Sequence, residues 1–305
     1  MPPEPFPVIE ISPNTTHSLE PLGTKAKFWF QEPGKQPSLF KEGRPGMGEN
    51  WAEKIACEVA QLLGLPHAHY DLACYARRQG VVSPSFVPPE GALIHGNEVL
   101  EFTNPDYKTV SHYRSRQHTI GRIYAALREP FIAMPMYWPT PASLATAFDV
   151  FVGYLLLDAL IGNTDRHHEN WGLIWTPKEE QISLAPTFDH ASSMGRNESD
   201  EKREARLTTR DKGFGIAAFA AKARSAIYHA QSDTRPMMTM EAFHAAAHIT
   251  PPAGQYWLNR LDAMDVTSLK DCLDRLPPEF ATDMARRFAL ELMKTNRERL
   301  LAGAP

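Results

Sequence analysis

Cysteine is scarce. The chain of 305 residues holds three, Cys57, Cys74 and Cys272, widely spaced and without a C-x-x-C pair. That spacing excludes a disulfide framework and a thiolate zinc site, and it predicts small buried hydrophobes instead. An excess of positive charge is also missing: 32 Lys and Arg face 36 Asp and Glu, a formal net charge of -4. A dedicated nucleic-acid binder would show the opposite balance, so no direct nucleic-acid binding is expected. The longest apolar stretch, Phe148 to Ile161, is interrupted by Asp149 and Asp158 and is too short to span a bilayer. The proline-rich start MPPEPFPVIEISPN lacks the basic-then-apolar order of a secretory signal. A soluble, cytoplasmic protein without membrane contact is therefore the expectation. Repeats and low-complexity tracts are absent, and 26 prolines argue against long coiled coils. What remains, 43% hydrophobic and 22% charged residues, is ordinary globular composition.

The first part of the chain reads as a small sheet with one helix. Lys25 to Phe30 and Ser38 to Lys41 are short apolar runs joined by Glu32-Pro-Gly-Lys-Gln-Pro, a hairpin signal. Trp51, Ile55, Val59, Leu62 and Leu63 recur at helical steps, predicting a helix from Glu49 to Leu63 closed by Gly64 and Pro66. Tyr70 to Tyr75 and Val81 to Val87 read as strands around an Arg77 to Gly80 turn, with Pro84 marking the second as an edge or bent strand. After Pro88-Pro-Glu-Gly the character changes. The pattern predicts an apolar helix from Ala142 to Ile161, strands at Trp171 to Trp175 and Gln181 to Ala185, and an exposed, charged loop from Arg196 to Lys212. Helices are then expected near Phe214 to Ala230, Met240 to His248, Gly254 to Met264, Thr267 to Leu276 and Glu279 to Leu300. The class is α+β and bilobal, with residues 1–90 as the smaller lobe and 91–305 as the larger, mainly helical one. Ligands often bind between such lobes.

The informative segment follows the apolar helix. Gly162-Asn-Thr-Asp-Arg-His-His-Glu-Asn is a polar loop pinned between that helix and an apolar strand. Asp165 and Asn170 stand five apart, which lets one loop offer a carboxylate to a substrate hydroxyl and an amide oxygen to a divalent cation. The next strand pair ends at Ala185-Pro-Thr-Phe-Asp-His, bringing Asp189 to a strand end beside the loop. Two oxygen ligands plus phosphate oxygens are a usual way to hold magnesium. His167, His168 and His190 invite a zinc reading, but adjacent histidines do not easily share one metal and none of these three stands at helical H-x-x-x-H spacing from another. His167 is expected to orient the loop by hydrogen bonding, and His168 and Glu169 to face solvent.

Gly162-Asn-Thr-Asp-Arg-His-x-x-Asn followed by Leu184-Ala-Pro-x-Phe-Asp resembles the signature of the HipA-like serine/threonine kinases, whose fold is similar to the eukaryotic protein kinases. The resemblance implies Asp165 as catalytic base, Asn170 and Asp189 as magnesium ligands, and ATP as phosphate donor. It also implies a strand lysine held by a helix glutamate. Lys41 ends the second strand, and Glu53, eleven residues before Gly64, fits the glutamate, with Glu49 as rival. Gly23, Thr24 and Lys25, with Lys27, resemble the family's short phosphate loop, although it departs from G-x-G-x-x-G. Where some members phosphorylate a serine of their own three residues before that glycine, this chain has Glu20; Thr16, Ser18 and Thr24 remain as alternatives. Ser85, Phe86 and Val87 would form the hinge that meets adenine.

The reading is an ATP-dependent serine/threonine protein kinase. Two rivals stay open: a small-molecule kinase, which shares base and metal arrangement, and a non-catalytic pseudokinase that engages a partner. Family resemblance further implies protein substrates, a toxin-like role and, for many members, a DNA-binding antitoxin partner. The extra N-terminal subdomain of longer members is expected to be missing here.

Overall fold

Alternation decides the first sheet. In β3 (Lys27–Phe30) Phe28 and Phe30 are buried while Lys27 and Trp29 are half-buried, the period of a strand with one covered face. The structure, a computed structural model, describes residues 3–13, 15, 17–19, 26–107 and 115–303. β3 pairs antiparallel with β4 (Ser38–Glu42) through the expected hairpin, placing Lys27 opposite Lys41. β5 (Asp71–Tyr75) and β6 (Arg78–Pro84) form a second hairpin whose turn is only Ala76-Arg77, both at positive φ (48° and 66°), matching strand twist. With β1 (Val8–Ile11) and β2 (His17–Leu19) the sheet runs β1-β5-β6-β4-β3-β2, β1 lying parallel to β5.

β6 is thus interior, not an edge. Pro84 is tolerated because it is the strand's last residue, beyond the end of pairing with β5 at Asp71 and Val82. Gly80 within β6 is required for the close approach to β4: a Cβ there would sit 2.3 Å from the Lys41 carbonyl oxygen.

Helix α1 (Glu49–Leu63) has the expected bounds, with Gly64 at φ 73° as its left-handed stop. It packs away from the sheet as well as on it. Trp51, Ile55, Val59 and Leu63 belong to a continuous apolar core with α4 (Ala147–Ile161), α7 (Thr239–Ile249), α8 (Pro251–Ala263) and α10 (Asp283–Ala302). Polar clasps hold α1 there: Arg260 Nε donates to the Leu63 carbonyl at 3.0 Å, and Trp138 Nε1 to that of Gly64 at 3.0 Å. Phe6 adds another, lying between the cations of Arg275 (4.1 Å) and Lys54 (4.6 Å).

The second sheet runs β7-β9-β10-β8, from β7 (Ala92–His95), β8 (Ile132–Ala133), β9 (Gly172–Thr176) and β10 (Gln181–Leu184). β9 and β10 were legible in sequence. β7, β8, α2 (Gly96–Thr103) and α3 (Ile120–Leu127) were not, being short elements without a full period of their own.

Three expected elements change. α4 begins at Ala147, five residues late, because Thr146 and Asp149 close a reciprocal capping box there. All fifteen of its residues are buried. The segment expected as a charged loop holds α5 (Asp200–Thr208), capped by Ser199. Its inner face is arginine rather than aliphatic, which hid the period: Arg203, 6% exposed, donates to the Gly195 and Arg196 carbonyls, and Arg206 lies over the rings of Phe214 and Phe219. The helix expected over Phe214 to Ala230 shrinks to α6 (Ile216–Ala220), after which the chain bonds across itself, with Ser225 N–H to Met237 O and Met237 N–H to Ile227 O. α9 (Val266–Asp274) completes the helical part.

Candidate active site

The loop after α4 is organised from beneath by a buried ion pair. Asp158, in the last turn of α4, accepts Nε and Nη2 of Arg166 at 2.7 and 2.8 Å and Nδ2 of Asn163 at 2.8 Å. Arg166 is completely buried, and its remaining hydrogens reach the Asn170 carbonyl at 2.5 Å, the Thr187 hydroxyl at 3.0 Å and the Phe188 carbonyl at 3.5 Å. One guanidinium therefore joins the helix, the polar loop and the segment leading to Asp189, using the whole donor set of an arginine.

Above this anchor Asp165 is 31% exposed in its side chain, with its backbone N–H donating to Asn163 Oδ1 at 3.2 Å. Asn170 Nδ2 donates to the Asp165 carbonyl at 2.7 Å, so Oδ1 is the atom Asn170 has left for a cation. His167 Nδ1 accepts the Glu169 N–H at 3.1 Å, and burial lowers its pKa, keeping the neutral ring that such an acceptor needs. His167 thus lies where it orders the loop. His168 does not face solvent: it is 1% exposed, with Nδ1 2.5 Å from the Tyr107 hydroxyl.

Asp189 adopts φ 59°, in the left-handed region, five residues beyond the end of β10. Its Oδ1 is 3.5 Å from Lys41 Nζ. Tyr70 stands between them, its hydroxyl accepting from Lys41 Nζ at 3.3 Å and from the Asp189 N–H at 3.4 Å. Burial works against the Lys41 charge, but Asp189, Tyr70 and Glu53 together outweigh it and hold the ammonium above its usual range. Burial likewise raises the Tyr70 phenol, with Glu53 adding to it.

Glu53 is 1% exposed, yet it is not the ion-pair partner of Lys41. Its Oε1 accepts the His190 N–H at 2.8 Å, and His190 Nε2 meets the Thr187 hydroxyl at 2.7 Å. The glutamate therefore braces the turn at Asp189, while the lysine pairs with Asp189 itself. Glu49, the rival, is engaged by Arg44 at 2.5 Å and Arg196 at 3.5 Å.

At the hinge, Ser85 N–H is taken by the Pro37 carbonyl at 2.8 Å, and Val87 N–H by Ser85 Oγ at 3.2 Å. Phe86 stacks on Phe188, centroids 5.4 Å apart, linking the expected hinge to the residue before Asp189. Gly23, Thr24 and Lys25 lie outside the described residues; Lys27 is half-buried beside Lys41 on the sheet.

Arg166, Tyr70 and Ser192, whose hydroxyl donates to Asp165 Oδ2 at 3.4 Å, carry the site without having been singled out in sequence. For Arg166 a signal existed: Asp158 inside an apolar helix requires a buried partner. Tyr70 and Ser192 have no such mark.

A second buried network supports the loop and gives it a pH dependence. Trp171 Nε1 donates to His118 Nε2 at 3.0 Å, leaving the His118 proton on Nδ1, which faces the Ala226 carbonyl at 3.1 Å. Burial, with His168 nearby, holds His118 down to about 3. A histidine whose folded-state pKa is depressed stabilises the fold fully above its unfolded pKa of about 6.5, and that stabilisation drains as pH falls, by about 1.4 kcal/mol per unit. Urea unfolding is expected to show about 2 kcal/mol less stability at pH 5 than at pH 7 from this group, and a shallower pH slope in His118→Gln. An unchanged slope in that variant would refute the assignment.

Comparison with known proteins gives the family and the fold. The family model described as the HipA-like C-terminal domain matches residues 21–250. The serine/threonine-protein kinase CtkA of Helicobacter pylori is 28% identical over 162 residues, 52% of this chain and 44% of that kinase. The match thus spans under half of the relative's length. The crystal structure of H. pylori CtkA superposes with a TM-score of 0.70 at 17% identity, covering 98% of this chain and 97% of that one. HipA of Shewanella oneidensis, solved in a toxin–antitoxin complex with HipB and operator DNA, gives 0.54 at 15% identity, over 92% of this chain and 64% of that one. Among the described residues no helix is long and apolar enough to cross a membrane. With three quarters of its length matched by one family and a kinase-like fold around the Asp165, Asn170 and Asp189 cluster, the chain belongs to the HipA-like C-terminal domain family.

Proposed function

We propose that this protein is an ATP-dependent serine/threonine protein kinase, with residues 1–90 carrying the nucleotide side and 91–305 the catalytic loops. The observation that carries the reading is the convergence of Lys41, Asp189, Asn170 and Asp165, tied together at 3.5 Å (Lys41 to Asp189), at 2.7 Å (Asn170 to the Asp165 carbonyl) and by the shared Arg166 anchor. Asp165 accepts the proton of the attacking hydroxyl. Lys41, kept charged by its neighbours, meets phosphate oxygens, and Glu53 holds the Asp189 turn in place through His190. Phe86 and Phe188 offer an apolar wall to the adenine next to the Ser85 to Val87 backbone.

The donor set suits magnesium. Asn170 Oδ1 and the Asp189 carboxylate are hard oxygen ligands, and two such ligands completed by phosphate oxygens are a usual way to hold that ion. A magnesium ion held there would neutralise charge on the phosphate oxygens. Positioning and charge neutralisation supply most of the catalysis in such a site.

The reading extends to protein substrates and to a toxin-like role with an antitoxin partner, supported by the likeness to a serine/threonine-protein kinase and to HipA, the latter solved with HipB, and to the cytoplasmic setting expected from the sequence. The test is calorimetry with ATP and magnesium, followed by labelled-phosphate transfer in parallel to casein and to small alcohols. Binding with label in protein is expected. Label in small alcohols alone would establish a small-molecule kinase, and failure to bind ATP would leave a non-catalytic partner-binding protein.

A further inference from the structure

Ser192 places a hydroxyl where a substrate hydroxyl has to be. Its Oγ donates to Asp165 Oδ2 at 3.4 Å, the direction of contact between a general base and the group it deprotonates, which tightens to about 2.6–3.2 Å when the reacting complex forms. The segment is not placed there loosely: Ser192 O accepts the Thr164 N–H at 3.1 Å and the Thr164 hydroxyl at 3.3 Å, binding it to the catalytic loop. Ser192 follows Asp189 by three residues, on the same segment. Ser193 gives the contrast, being 2% exposed with its hydroxyl donated to the His190 carbonyl at 2.8 Å. It is a satisfied structural group, whereas Ser192 is half-buried and points at the base.

We propose that Ser192 is an internal phosphoacceptor, modified in cis by the chain's own active site. This rests on the kinase reading above. In the step, the bond from the γ-phosphorus of ATP to the β,γ-bridging oxygen breaks and a bond to Ser192 Oγ forms. ADP leaves with the bridging oxygen, and the serine proton passes to Asp165 Oδ2. The product brings a charge of about -2 against the Asp165 carboxylate, so repulsion disturbs the loop that carries the base and the reaction limits itself. Before that, Ser192 occupies the base, and an external acceptor has to displace it.

The full chain is incubated with ATP, magnesium and casein, then analysed by intact and tandem mass spectrometry. One phosphate on Ser192 is expected, with none on Ser193, at a rate constant unchanged over about a tenfold range of protein concentration and lost in Asp165→Asn. Casein labelled while Ser192 stays unmodified would overturn the proposal and leave the kinase reading standing. So would a rate rising in proportion to protein concentration, or undiminished self-labelling in Ser192→Ala. Absence of both ATP binding and any transfer overturns the kinase reading, and this inference with it.

Discussion

Asp165→Asn is expected to lower phosphoryl transfer about 10²- to 10⁴-fold, the range that a positioned general base contributes. The substitution is nearly isosteric and spares the backbone contacts that shape the loop: the Asp165 N–H still donates to Asn163 Oδ1, and the carbonyl still accepts from Asn170 Nδ2. Lys41, Tyr70 and Asp189 are untouched, so affinity for ATP with magnesium should stay within about threefold, a difference below 1 kcal/mol. Single-turnover transfer to casein, alongside calorimetry, separates the two quantities. A transfer rate within tenfold of the parent would remove Asp165 from the role of base. A large loss of nucleotide affinity instead would mean that its charge serves the metal side, and the division of labour with Asn170 and Asp189 would have to be redrawn.

The parts of this arrangement that were legible in sequence are those written in short range. The helix at Glu49 to Leu63 announces itself by period and by Gly64, and the β9–β10 hairpin by two apolar runs around Thr176-Pro-Lys-Glu-Glu. The chemistry-bearing loop was visible because polar residues interrupt an apolar helix and an apolar strand. Partnerships were not visible, because they are set by tertiary geometry. Lys41 and Glu53 both lie close to the Asp189 turn, but a tyrosine hydroxyl joins the lysine to the Asp189 backbone N–H while the glutamate takes the His190 backbone N–H. Tyr70 sits in a short segment whose aromatic content reads simply as strand. His168 looked solvated since its neighbours are charged, yet the loop turns it inward against Tyr107. α5 escaped detection for a related reason: its buried face is arginine stems, which hydropathy scores as surface.

Arg166→Met is expected to be the most destabilising single change at the site, costing about 3–5 kcal/mol in urea unfolding, because it leaves the Asp158 carboxylate buried with its charge unpaired. Asp158 is 3% exposed in its side chain and would retain only the Asn163 amide. Adding Asp158→Leu removes the stranded charge, and most of the lost stability should return, since a buried ion pair is often worth no more than an apolar pair of similar volume. Transfer activity should not return with it. In the double variant nothing replaces the bonds from Arg166 to the Asn170 and Phe188 carbonyls and to the Thr187 hydroxyl, and those bonds fix how far Asn170 stands from Asp189. Displacements near 1 Å in such geometry cost on the order of 10²-fold in rate. A refolded double variant with a transfer rate down by that order, and the same sign of change for nucleotide affinity measured with magnesium present, would make Arg166 a positioning residue. A double variant transferring at the parent rate would reduce it to a piece of the fold. Stability and rate are separable here because one side chain closes a charge and spans three backbone segments, and only the first of these duties can be handed to leucine and methionine.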